Sequence, residues 1–421
     1  MSAAIILLTL FLTQTFPTFG KYLFTAGNGI PLGIAIAGYG CFLITSLITG
    51  IPRKSFMNAT LFTLIFITYC VLTLLLSPLD FGIRNLSILI KIVAMYTSFL
   101  AGYYYLSSGG NLKSLYKTVF YILIVHIILF VDHIIDPRSF IQNLYNVKDS
   151  VGGYRQFRFP GTWNLPYNEV LFLVPICFYF FYQTLYSQNG TSRFLSFLMC
   201  VFVLFMATFG TQSRAGLIGL SLTCIYILFN YIFYSVTWNK GVNVSIGFLM
   251  FFVIGLMSYG IYQMLVILET DQTFYHITKL VEEGGVSSAN RVEQIQTYYN
   301  LYLKDAPIRI FFGFGPARGE DMYIESIVNY LFQYGIIGMI FFFGPWVYLW
   351  ARLVKKGLQC RKSQEAMAYL LLHSSIFLFM VMQVAMDAFI HFRFIPIFYF
   401  LAGVVLFILN HPERAQNKIR S

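Results

Sequence analysis

Charge is what this sequence has least of: Asp, Glu, Lys and Arg make up 11% of its 421 residues, against about 25% in a soluble globular domain. So few charges cannot cover a water-facing surface. With 58% hydrophobic residues and a mean hydropathy of +0.70, the solvent for most of the chain is the bilayer. Cysteine is scarce too. The six present (Cys41, Cys70, Cys177, Cys200, Cys224 and Cys360) fall in or beside apolar runs and form no CxxC pair, so no disulfide or zinc framework is implied. Aromatics, by contrast, abound. The 45 Phe and 30 Tyr suit lipid-facing belts and ring-binding clefts alike, and alone they do not choose between the two.

Apolar stretches of about 17–25 residues, enough to span the hydrocarbon core, recur along the chain. They predict helices near 2–19, 32–50, 57–76, 83–106, 115–131, 166–186, 193–209, 215–235, 245–268, 324–351, 366–386 and 394–410. The first lacks the basic leader and small-residue cleavage site of a signal peptide, and is read as a helix. The expected fold is thus an all-α polytopic membrane protein, a single transmembrane domain of about twelve helices with two long outer loops, 132–165 and 269–323.

Orientation follows from Lys and Arg in the short connections. One set holds Arg53 and Lys54, Lys113 and Lys117, Arg193, Lys240, and Arg352, Lys355, Lys356, Arg361 and Lys362. The tail adds Arg414, Lys418 and Arg420. These alternate with connections at 20–31, 77–82, 132–165, 210–214, 269–323 and 387–393, and twelve spans place both termini in the cytoplasm. Of the 17 Asp and Glu, only Glu365 and Glu413 then fall on the cytoplasmic side. The outer side gathers nine arginines as well: Arg84, Arg138, Arg155, Arg158, Arg214, Arg291, Arg309, Arg318 and Arg393. Exposed loops are polar anyway, but arginines clustered near the membrane plane also suit phosphate and pyrophosphate oxygens through their guanidinium forks.

Four stretches concentrate chemistry there. Gly210-Thr211-Gln212-Ser213-Arg214-Ala215-Gly216 opens a helix, so Arg214 is either a snorkelling interfacial cation in a tight helix contact or a ligand-binding one. In the first long loop, Arg155 and Arg158 could grip one anionic group, and Trp163 and Tyr167 could stack on a sugar. Asn168 and Glu169 lie where the chain re-enters the membrane, and a carboxylate so close to an apolar run calls for a partner such as a neighbouring arginine. In the second loop, Arg291 precedes a helically spaced apolar face at 292, 295, 299 and 302/303, an amphipathic helix on the membrane or an ordinary packed surface helix. Gly313-Phe314-Gly315-Pro316 reads as a flexible turn. Beyond Arg318, the residues Asp321, Glu325 and Asn329 share a helix face, with Glu325 about one turn inside. It either favours the helix dipole or acts as a general base. His391 and Arg393, with Asp387, occupy the last outer connection.

Thr211–Gly216, then Arg291 before an amphipathic segment, then Gly313-Phe314-Gly315, then Glu325…Asn329…Gly335-Ile336-Ile337-Gly338 together resemble the O-antigen polymerase/ligase family, over roughly residues 150–345. The resemblance implies a fold of the GT-C glycosyltransferase kind in the bacterial inner membrane, with its active site facing the periplasm. It implies a metal-independent enzyme without cofactor whose substrates are glycans on undecaprenyl pyrophosphate. Carried onto this chain, it makes Arg214 and Arg291 the pyrophosphate binders and Glu325 the base. Arg155, Arg158, Asn168, Glu169, Arg318, Asp321, His391 and Arg393 are further substrate-binding candidates. Glu325 stands where the ligase branch usually has a histidine, which favours a polymerase of lipid-linked repeat units. A ligase passing glycan to lipid A core, or a flippase for lipid-linked oligosaccharide, are the alternatives. Partners are then the lipid-linked donor and acceptor, membrane lipids and a chain-length regulator, with no nucleic acid. Tags fused after Ser421 and within 105–116 are expected to report the cytoplasm, and one within 275–290 the periplasm. A periplasmic C-terminus would overturn the alternation.

Overall fold

The computed structural model describes residues 2–19, 29–49, 64–73, 75–76, 83–136, 139–145, 159, 161–162, 166–211, 213–237, 296, 299–300, 304, 307–314, 327–360, 362–383 and 391–411. Among them only helices and turns occur. In chain order the helices are α1 (Ser2–Thr15), α2 (Ile30–Thr49), α3 (Leu64–Thr73), α4 (Ile83–Tyr105), α5 (Leu112–Ile135), α6 (Phe140–Tyr145) and α7 (Pro166–Tyr186). Next come α8 (Gly190–Phe205), a π-helical turn (Met206–Gly210), α9 (Arg214–Thr237), the short α10 (Arg309–Phe312), α11 (Ile327–Gln359), α12 (Ser363–Gln383), a second π-helical turn (Ile395–Tyr399) and α13 (Phe400–Asn410).

Seven of the described helices are long and apolar enough to cross a membrane. Helix falls in eleven of the twelve stretches expected to span; the other, 245–268, lies outside the described residues. The chain is an all-α membrane protein. Large apolar side chains such as Ile48 (80% exposed) and Phe229 (69%) stand on the outside, where lipid accepts them, while each helix closes its own backbone hydrogen bonds. Helix starts follow side-chain caps. Asn111 Oδ1 accepts from Ser114 N at 2.7 Å and Asn189 Oδ1 from Thr191 N at 3.0 Å, which carries α5 and α8 three residues further towards the N-terminus than apolar runs alone suggest.

The chain divides into two compact units, Met1–Lys148 with Gln294–Pro345 and Met386–Ser421, and Asp149–Glu293 with Trp346–Ala385. In the first, α1 packs on α2 and α5, α2 on α4, and α4 on α13 and the Ile395–Tyr399 turn. The α4–α13 crossing brings backbones together: a Cβ at Gly102 would lie 1.9 Å from the Phe400 carbonyl oxygen, and one at Gly403 2.1 Å from that of Phe99. In the second unit α7 packs on α8, α9 and α12, and α9 on α12.

The last turn of α1 shows how a helix end is finished inside the first unit. Phe16 N closes on the Leu12 carbonyl at 2.8 Å. Arg393 Nη1 donates to the carbonyls of Thr13 (2.9 Å) and Gln14 (2.7 Å), and Nη2 to that of Phe16 (2.7 Å). Tyr145 Oη donates to the Thr15 carbonyl at 2.5 Å, and Gln14 Nε2 returns a bond to the Arg393 carbonyl at 3.0 Å. A fully buried cation thus sits at the negative end of the helix dipole, with its guanidinium 5.9 Å from the Tyr145 ring and 5.6 Å from the Phe392 ring. Burial holds the Tyr145 phenol above its usual pKa, and the nearby guanidinium pulls the other way. The end of α1, Tyr145 and Arg393 flank or belong to connections that the charge alternation assigns to one side, and they meet at one end of this unit.

Arg393→Met removes the donors and leaves three carbonyls without them, two of them on buried residues. At about 1–3 kcal/mol for a buried polar group left unsatisfied, the variant is expected to lose several kcal/mol, read as an earlier denaturant midpoint in micelles. An unchanged midpoint would show that these bonds are dispensable.

Candidate functional site

Of the residues singled out from the sequence, Arg155, Arg158, Arg291, Arg318, Asp321 and Glu325 lie outside the described residues, as does most of the amphipathic segment after Arg291. Arg214 is placed by its backbone as the first residue of α9. Asn168, Glu169, His391 and Arg393 are described in full.

In the second unit two of the sequence stretches come together. The chain leaves α8 through the π-helical turn Met206–Gly210, where Thr208 Oγ1 donates to the Leu204 carbonyl and Thr211 Oγ1 to that of Ala207, at 2.8 and 2.7 Å. Insertions of this kind concentrate at functional sites. Ser213 then caps α9, its Oγ accepting from Gly216 N at 3.1 Å and its carbonyl from Leu217 N at 2.8 Å. Arg214 is the first residue of this turn, at the positive end of the helix dipole.

The 154–169 stretch joins this turn through Phe159, whose N–H donates to the Gly210 carbonyl at 2.8 Å. Gly216 of α9 packs on Val170 of α7; a Cβ at Gly216 would meet the valine methyl at 2.6 Å. Gly161, at φ +56°, gives up its side-chain space to Glu169, whose Oε2 lies 1.9 Å from where a Cβ would stand. Glu169 is fully buried, as are Thr162 and Thr211. Beside it, Asn168 is also fully buried, and neither its amide nitrogen nor its oxygen makes a hydrogen bond among the described residues. A buried amide with both donors and acceptor unanswered is rare in a native fold and marks a place for a polar ligand or water.

In the first unit, Gly313 and Gly335 meet backbone to backbone. Both take positive φ with extended ψ (71°, −174° and 60°, −176°), which only glycine adopts readily, and Gly335 thereby breaks α11. A Cβ at Gly313 would lie 2.5 Å from the Gln333 carbonyl oxygen, and one at Gly335 2.3 Å from that of Phe311. Phe314 N donates to the Phe332 carbonyl at 2.9 Å. The Tyr69 hydroxyl lies 2.5 Å from the Tyr334 carbonyl oxygen and 2.9 Å from that of Phe312. Arg309 donates to the Gly313 carbonyl at 3.2 Å and to that of Leu76, and its guanidinium lies over the Phe314 ring at 5.6 Å. Gly313–Phe314 is therefore a docked joint where the sequence suggests a flexible turn, because it pairs with the carbonyls that the break in α11 frees. The joint precedes Ile336 and follows the buried pair Asn329–Gln333, joined by Gln333 Nε2 donating to Asn329 Oδ1 at 3.0 Å. α11 starts at Ile327, two residues after Glu325 in the chain.

His391 is half-buried, its Nδ1 accepting from Arg393 N at 3.3 Å and its ring against Phe392. For Arg393 the helix-closing contacts above account for the buried guanidinium by packing alone. Sequence reasoning did not find the pairing of Gly161 with Glu169, the Gly313–Gly335 joint or the use of Arg309 in it. Glycines flanking polar or aromatic positions at helix mouths were the available signal. Compared with known proteins, the chain matches no family model and no curated protein. The likeness to the O-antigen polymerase/ligase family therefore rests on the motifs alone.

Gly335→Ala forces a Cβ into the joint on a backbone that side chains avoid, at a cost of order 1–3 kcal/mol for the strain alone. Gly344→Ala, in the same helix with nothing nearer than 3.9 Å, is expected to be neutral or mildly stabilising. Thermal unfolding of the two variants in parallel checks this, and equal midpoints would refute the joint.

Proposed function

We propose that the protein polymerises oligosaccharide repeat units carried on undecaprenyl pyrophosphate, for an O-antigen or capsule, at the periplasmic face of the inner membrane. The observation that carries this reading is the meeting of the 154–169 and 210–216 stretches in the second unit. There, an unanswered buried amide and a buried carboxylate on α7 accompany the capped mouth of α9 that begins at Arg214. Asn168, with donor and acceptor both available, suits a sugar hydroxyl, which also offers both.

In this reading a hydroxyl of the acceptor repeat unit attacks the anomeric carbon of the donor glycan. The C–O bond to pyrophosphate breaks, and the lipid pyrophosphate departs as an anion. Arg214 and Arg291 hold that anion, and a guanidinium fork in a low-dielectric setting stabilises the charge as it grows. Glu325 takes the hydroxyl proton. Asn168, Glu169, Arg155, Arg158, Arg318, Asp321 and His391 orient the sugars. Arg393 is left out of the site because its guanidinium closes α1. Transfer is favoured over transport by the break at Gly335. The carbonyls of Phe332 and Tyr334 there accept from Phe314 N and the Tyr69 hydroxyl, so the break is closed by hydrogen bonds within the protein, unlike the unwound, ion-coordinating helices of transporters.

Purified protein is expected to lengthen glycan on lipid-linked repeat units in EDTA without nucleotide sugar, giving a ladder on gels. Arg214→Lys should lose most of it although charge is kept, since an ammonium cannot reproduce a bidentate fork. Glu325→Gln should reduce the rate by roughly 10²–10⁴-fold with lipid-linked substrate still bound. A full ladder from both variants, or a strict need for divalent metal, would sink the reading.

A further inference from the structure

Three helices of the second unit are joined by polar side chains within their apolar spans. His373 on α12 is fully buried. Its Nδ1 lies 2.9 Å from Tyr226 Oη and its Nε2 3.0 Å from Tyr234 Oη, both tyrosines being on α9. On the later part of α11, Trp350 Nε1 donates to Tyr226 Oη at 3.0 Å, and the Tyr234 hydroxyl lies 3.5 Å from the Val354 carbonyl oxygen. The Tyr226 ring is stacked on Phe377 of α12 at 4.2 Å, which holds its hydroxyl in place. Among the described residues the titratable groups that bond to His373 are the two tyrosines, and neither a carboxylate nor a cation does.

The ends of this chain of contacts decide its direction. An indole N–H only donates, and a carbonyl only accepts. Tyr226 Oη receives the Trp350 proton, so its own proton goes to His373 Nδ1. With Nδ1 accepting, the neutral ring carries its proton on Nε2. That proton goes to Tyr234 Oη, whose own is directed to the Val354 carbonyl. The reverse order would aim two N–H groups at Tyr226 Oη and deprive its proton of an acceptor, and an imidazolium would do the same.

We infer that His373 is a neutral imidazole held in the Nε2–H form by a one-way hydrogen-bond chain from Trp350 to Val354, a positioning residue that fixes the rotation of α9 against α11 and α12. A histidine inside a membrane span is otherwise a first candidate for proton relay. Here the chain starts on a group that does not give up its proton and ends on one that does not take one, so no proton passes along it. This inference is independent of the reading of the protein as a glycan polymerase, because its test reads no activity.

The test is ring 15N NMR of the full chain labelled at histidine, in lipid nanodiscs at neutral pH, with His373→Gln used to assign the signals. Wild type is expected to show a protonated Nε2 and an unprotonated Nδ1 for His373, with no second form. Trp350→Phe does not touch His373, yet it frees Tyr226 Oη to accept, so the Nδ1–H form should appear beside the first. Tyr234→Phe should leave Nδ1 unprotonated, since the Trp350–Tyr226 arm is intact. A wild-type spectrum with Nδ1 protonated would overturn the proposal, and that measurement stands even if a variant fails to fold. A Trp350→Phe spectrum identical to wild type would equally overturn it, because the indole would not then set the direction.

Discussion

In hydrocarbon no water answers a backbone N–H or C=O, so any place where a helix ends or breaks must find its partners within the protein. The described parts of this chain solve that problem several times with different side chains. At the end of α1, Arg393 and Tyr145 take the carbonyls that the helix leaves behind. At the break in α11, the Phe314 N–H and the Tyr69 hydroxyl do so. Between α8 and α9, Thr208, Thr211 and Ser213 carry the chain through a π-helical turn into a capped helix start. The polar residues of these places are first of all closures, and only what remains after closure is available to a substrate.

That ordering changes how the arginines are read. From the sequence, Arg309 and Arg393 look like the other cations of the outer side. In the fold, both guanidinium groups are taken up by backbone carbonyls and aromatic rings. Asn168 is the opposite case, a buried amide for which the described residues provide no bond.

The helices were legible because lipid makes the apolar run itself the signal: α2, α4, α5, α7, α9 and α12 lie where continuous hydropathy puts them. The start of α9 was legible too, since a Ser followed by Arg-Ala-Gly before an apolar run is a recognisable cap. The fate of Arg393 was not, because a single sequence shows which groups are polar and not which distant carbonyls lack donors. Its partners are 377 to 380 residues away in the chain. Gly335 was hidden for another reason. Within Gly335-Ile336-Ile337-Gly338 a glycine reads as a small residue for close packing, and its positive φ appears only once Gly313 is set against it. The Tyr226–His373–Tyr234 arrangement was not read from the sequence, because the tyrosines that answer the histidine lie on another helix.

The Gly313–Gly335 contact also sets a rule for how this protein can diverge. Each glycine occupies the volume that a side chain on the other's segment would need, so neither position can be relieved by a change at the other. Substitution at one is not a step towards a different pair. It removes the joint outright. A chain that keeps the break in α11 is therefore confined to glycine at both places, however far its loops drift.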